Sequence, residues 1–157
     1  MKIEMYHASK FGNGKKVASY LQGLLIAKGH QMNVLHVKET KPKALPPADL
    51  YIFCSPTRIG KPIGSMRSFL KKAKMPDDTK YALIATLVKP RPNKKTGEMP
   101  TKEEIEKWQR NLPIMERILK EKGMTKVADL EVYVLDIKGP LEEGWEKKVE
   151  EFASLLG

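Results

Sequence analysis

The sequence predicts an α/β chain folded as a three-layer sandwich, in which helices cover both faces of a five-stranded parallel sheet of order 2-1-3-4-5. Two features point there: five short apolar runs alternate with amphipathic helical patterns, and runs such as YIFC and ALIATL show no polar alternation, as in strands buried on both faces. Length agrees. At 157 residues, against about 100–200 residues per domain, a single domain over residues 1–157 is expected, with no repeat and no linker long enough to divide it.

The first strand is Ile3–Tyr6, and the helix after it shows Val17, Leu21, Leu24 and Leu25 at helical spacing before Gly29. Strands at Met32–Val37 and Leu50–Ser55 come next, then a helix marked by Ile63, Met66, Phe69 and Leu70. Tyr81–Val88 is the fourth strand. A third helical pattern, Ile105, Trp108, Leu112, Met115 and Leu119, opens with Thr101 and Glu104, whose side chains can cap each other's backbone N–H groups, and Pro113 is expected to kink it. Leu130–Ile137 is the fifth strand, and Leu141, Trp145, Val149, Phe152 and Leu156 mark the last helix. Both tryptophans are thereby assigned to the core. Right-handed crossovers in this order place a ligand site at the carboxyl edge between strands 1 and 3, where the winding reverses.

Composition narrows the function classes. With 41% hydrophobic and 31% charged residues the chain is neither disordered nor a disulfide scaffold, and the lone Cys54, within LYIFC, reads as a packed core thiol. No apolar run approaches the roughly 18 residues that span a bilayer, and MKIEMY opens without the apolar stretch of a signal peptide, so a cytoplasmic protein without membrane insertion is expected. His7, His30 and His36 lack Cys or carboxylate partners at ligand spacing, so no metal is expected. Net charge is +10, concentrated in residues 1–97, where 19 Lys and Arg face 5 Asp and Glu. Such a surface attracts polyanions, acidic proteins or phosphorylated ligands alike.

Three loops surround the reversal point: Tyr6–Lys15, Ser55–Pro62 and Val88–Pro100. In the first, small and hydroxyl residues with two glycines precede a helix, so backbone N–H groups can converge on an anion that also feels the positive end of the helix dipole. Lys15 and Lys16 stand in the first helical turn, where cations oppose the dipole by about 0.3–1 kcal/mol each, a conflict that a bound dianion removes. The loop matches neither GxxxxGK[ST] nor GxGxxG.

Ser9-Lys10-Phe11-Gly12-Asn13-Gly14 resembles the phosphate loop of flavodoxins, and Ser55-Pro56-Thr57-Arg58-Ile59-Gly60-Lys61 resembles the flavodoxin segment beside the flavin ring. The resemblance covers residues 1–87; beyond them it rests on the order of strands and helices. It implies a flavodoxin-like fold, noncovalent FMN and electron transfer. By that match Ser9, Phe11, Gly12, Asn13 and Gly14 hold the phosphate; Gly14 lacks the hydroxyl of the Thr in many relatives, a loss that Lys10, Lys15 or Lys16 is expected to make up. Ser55, Pro56, Thr57, Arg58, Ile59, Gly60 and Lys61, with Leu87, Val88 and Lys89 at the start of loop three, complete the implied site. Gly60 occupies the place of a glycine whose peptide can turn its carbonyl toward N5 of the reduced ring, a motion cheap only without a Cβ.

Loop three, VKPRPNKKTGEMP, has no aromatic where flavodoxins commonly place a ring-covering Tyr. Lys61, Arg58, Lys89 and Arg91 reverse the acidic surroundings usual in that family, which implies a less negative potential and an acidic redox partner, a ferredoxin or a reductase. The leading expectation is an FMN electron carrier. An FMN-dependent oxidoreductase acting on a quinone or similar acceptor is the second, favoured by the uncovered ring and by a basic segment after strand 4 that resembles flavodoxin-domain protoporphyrinogen oxidases. A basic nucleic-acid-binding module on the same fold is third, since no RNP-type aromatics, zinc spacing or helix-turn-helix pattern accompanies the charge. No catalytic residue is assigned.

Overall fold

In the computed structural model, which describes residues 1–157, the elements in chain order are β1 (Lys2–His7), α1 (Asn13–Ala27), β2 (Gln31–His36), β3 (Leu50–Arg58), β4 (Lys61–Pro62), α2 (Gly64–Lys72), β5 (Lys80–Val88), α3 (Lys102–Trp108), α4 (Asn111–Glu121), β6 (Thr125–Val134) and α5 (Trp145–Leu156). Five strands pair in parallel in the order β2-β1-β3-β5-β6, and the two-residue β4 folds back antiparallel on the end of β3. With that hairpin set aside, the sheet order is the predicted 2-1-3-4-5. No helix is long and apolar enough to cross a membrane.

The strand pleat sends alternate residues to opposite layers. Ile52 and Cys54 of β3 join Ile3, Met5 and Ile84 under Val17, Leu21 and Leu25 of α1 and Val149, Phe152 and Leu156 of α5. Tyr51 and Phe53 join Tyr6 and Leu83 against Met66 and Phe69 of α2 and Met115 and Leu119 of α4. Both faces of the central strands are therefore apolar, which is why their sequences show no alternation. Cys54 is fully buried, and burial pushes its thiol up to about 12. It is a core group, as expected.

Several expectations are corrected. The third helical pattern is not one kinked helix but two, α3 and α4: the amide of Arg110 leaves the helical ladder to donate to the Gly60 carbonyl at 2.8 Å, and α4 restarts at Asn111. Pro113 falls in the first turn of α4, where its missing N–H costs nothing. Trp108 is consequently not a core residue; it is 56% exposed. Trp145 does pack on the core, with its ring edge-on to Tyr20 at 5.4 Å. β6 ends at Val134 rather than Ile137, because the chain turns back and Leu141 bridges Val134 instead of opening α5. Loop two is partly strand: Pro56, Thr57 and Arg58 extend β3 into the hairpin with β4.

α1 approaches β3 closely at its start. A Cβ on Gly14 would lie 3.3 Å from Cys54 Sγ and 3.4 Å from Ser9 Cβ, so a side chain here crowds α1 against β3 and the neighbours must give by a few tenths of an ångström. Gly14→Thr is expected to lower stability in urea unfolding by about 1–3 kcal/mol, and adding Cys54→Ala is expected to restore part of that loss.

Candidate functional site

Loop one is anchored at its start by the Ala8 amide, which donates to the Cys54 carbonyl of β3 at 3.1 Å. It ends at Gly12, which adopts the left-handed conformation (φ +93) from which α1 departs. The Gly12 amide donates to Ser9 Oγ at 3.0 Å, leaving the Ser9 hydroxyl proton free to donate elsewhere. No side chain caps α1 and no acid stands in its first turn. The amides of Asn13, Gly14 and Lys15 find no acceptor in the chain. Lys15 and Lys16 add positive charge to a helix end that is already positive.

Two imidazoles hold this loop from the far side. His7 Nδ1 accepts from the Ser9 amide at 3.2 Å. His36 Nδ1 accepts from Lys38 N at 3.1 Å, so its Nε2 carries the proton that it donates to the Ser9 carbonyl, also at 3.1 Å. The rings meet edge-on, 5.1 Å apart. His7 is buried, and desolvation, reinforced by His36 and Lys15, lowers its pKa to about 4. It is a neutral acceptor at neutral pH.

The second loop is a tight hairpin. Ile59 and Gly60 both have positive φ, 52° and 75°, as in a two-residue turn of the primed type. A β-branched residue pays about 1–2 kcal/mol there. The turn is braced from outside: Gly60 accepts from Arg110 N, and a Cβ on Gly60 would stand 2.9 Å from the Lys107 carbonyl and 3.1 Å from Trp108 Cα. Asn111, buried, donates through Nδ2 to the Ser55 carbonyl at 3.1 Å and to Thr57 Oγ1 at 2.9 Å. Ser55 is itself buried, accepting from Ile63 N and donating to the Pro56 carbonyl. The Gly60 carbonyl is thus already engaged, and turning its peptide requires breaking the bond to Arg110.

Between the loops lies a cleft of about 590 Å³. Of the residues implied by the sequence, it brings together Ser9, Lys10, Phe11, Asn13, Gly14, Pro56, Thr57, Arg58, Ile59, Gly60, Leu87 and Val88. Four do not line it. Gly12 faces a neighbouring polar hollow with His7, His36 and Lys15; Ser55 is turned into the hairpin; Lys61 and Lys89 are exposed outside it. Ile63, Thr86, Trp108, Val134 and Ile137 also line the cleft and were missed. For Trp108 a signal existed, since Pro113 in a first helical turn implies a new helix start near residue 111. Phe11 is 45% exposed on the rim, with Lys10 Nζ and Lys138 Nζ 5.5 and 5.8 Å from its ring centroid.

No family model and no curated protein sequence matches the chain. Solved structures do. The flavodoxin of Streptococcus pneumonia TIGR4 superimposes with a TM-score of 0.74 at 16% identity, over 99% of this chain and 97% of that one. Oxidised flavodoxin 1 of Bacillus cereus gives 0.74 at 18% identity over 99% and 96%, and flavodoxin 2 of the same organism 0.72 at 21% over 99% and 97%. The chain has the flavodoxin-like fold.

His7 generates a pH prediction. Its pKa in the fold, about 4, lies below the ordinary 6.5, so between those values the unfolded chain binds the extra proton and the native state loses stability as pH falls. Urea unfolding is expected to show about 1–3 kcal/mol of this loss from pH 7 to 4, with a shallower slope in His7→Asn, which keeps an acceptor for Ser9 N.

Proposed function

We propose that the chain is a flavodoxin-like electron carrier that holds FMN noncovalently in the cleft. The observation that carries this reading is the meeting, at the reversal point of the sheet, of an uncapped helix start and an apolar slot. The amides of Asn13, Gly14 and Lys15 and the Ser9 hydroxyl are donors in search of acceptors, and a phosphate dianion brings several to one point. Beside them Leu87, Val88, Val134 and Ile137 offer apolar walls to a planar ring. The cleft volume lies within the usual range for small-molecule sites. At about 0.3 kcal/mol per non-hydrogen atom, the roughly 30 atoms of FMN permit micromolar or tighter binding.

FMN supplies reversible uptake of electrons; the rest is the work of the chain. Loop one would hold the phosphate end, and the hairpin and the β5 terminus would orient the ring. Arg58 lines the cleft, and Lys61, Lys89, Arg91, Lys94 and Lys95 are exposed in the two loops that follow β3 and β5, so the chain carries positive charge at the cleft and in those loops. Positive surroundings favour the anionic reduced ring and attract an acidic partner such as a ferredoxin or a reductase.

The test is the visible spectrum of the purified protein before and after addition of FMN, followed by potentiometry. The reading predicts a bound-flavin spectrum, a midpoint less negative than in an acidic flavodoxin, and reduction by an acidic ferredoxin that slows as salt rises. A colourless protein whose spectrum with FMN is the sum of the two components contradicts it.

A further inference from the structure

We infer that residues 101–111 act as a strap that brings Trp108, at the end of α3, against the ring of the bound ligand. The inference rests on the FMN reading above, and it assigns the covering role to a segment outside the three loops.

The strap is not held by the core. α3 has seven residues and buries none of them. It is instead moored to the hairpin at two points: the Arg110 amide donates to the Gly60 carbonyl at 2.8 Å, and Asn111 Nδ2 reaches the Ser55 carbonyl and Thr57 Oγ1. Backbone lies so close to backbone here that a methyl group on Gly60 would strike the Lys107 carbonyl at 2.9 Å. This mooring delivers Trp108 to the cleft wall while leaving it 56% exposed.

An indole that reaches a cleft but not the core asks for an occupant, and its neighbours ask for the same one. Ten large hydrophobic side chains are exposed in the whole molecule, and four of them, Phe11, Ile59, Trp108 and Ile137, line this one cleft. Scattered apolar exposure is ordinary; convergence on a single concavity is not. The occupant must therefore present broad apolar faces, and the donors at the start of α1 require it to carry an anion at one end. A phosphorylated, planar heteroaromatic molecule meets both demands. Loop three cannot supply the cover, because residues 88–100 contain no aromatic. Ligand and strap then stabilise each other, since the bound ring gives Trp108 the contact that the core does not.

The experiment uses Trp145→Phe, in which Trp108 is the sole tryptophan, and titrates FMN while reading indole emission, with Trp108→Ala and Trp108→Phe alongside. Trp108 emission should be quenched in step with binding. Trp108→Ala should bind FMN about 5- to 30-fold more weakly and Trp108→Phe within about 3-fold of the parent, with the unliganded melting temperature little changed because α3 buries nothing. In the unaltered protein, amide exchange at Arg110 should slow when FMN binds, a readout that needs no substitution. FMN binding with unquenched emission, and equal affinity in Trp108→Ala, overturns the strap and leaves the FMN reading standing. No binding in any variant overturns both.

Discussion

The amides that the chain leaves without acceptors at the start of α1 are the constraint around which the site is arranged. In the free chain these amides are left to water, because the usual protein partners are absent: there is no capping side chain and no acid in the first turn, and two lysines sharpen the demand for an anion. The surrounding packing keeps the donors aimed outward. Gly14 lets α1 settle onto Cys54, the Ala8 amide ties the loop to β3, and the imidazoles of His7 and His36 hold Ser9 by its amide and its carbonyl. The loop is thus set before any ligand arrives, which lowers the ordering cost of binding.

The hairpin follows a different logic. Its turn is strained at Ile59, and strain of this kind persists only where neighbours over-determine it. Arg110 and Asn111 provide that determination through hydrogen bonds, and the glycine at position 60 is required twice, by its positive φ and by the backbone lying against it. The same contacts fix where α3 ends. One set of interactions therefore shapes the turn, breaks the helix and brings the indole of Trp108 to the cleft.

The fold was legible because it follows from patterns that burial imposes locally: strands apolar on both faces, helices apolar at 3.6-residue spacing, and the connection lengths between them. The form of loop one, a glycine-rich turn entering a helix without a capping side chain, was legible from its small residues. What escaped was long-range. Ser55 looks like a ligand donor in sequence, yet its hydroxyl braces the hairpin through Ile63 and Pro56; Trp108 looks like core, yet a single hydrogen bond to Gly60 ends its helix and turns it outward. Ile137 was read as the last residue of the fifth strand but stands 66% exposed at the cleft, because β6 stops three residues earlier. Periodicity reports which residues share a face, and it is silent on which element that face meets.

If the unpartnered amides of loop one are what recognise the ligand, affinity must reside largely in its phosphate. Calorimetry comparing FMN with riboflavin separates the two parts of the molecule. Two or more charge-assisted hydrogen bonds at about 1.5–3 kcal/mol each predict that riboflavin binds at least about 100-fold more weakly than FMN. Equal affinities for the two would show that loop one grips nothing.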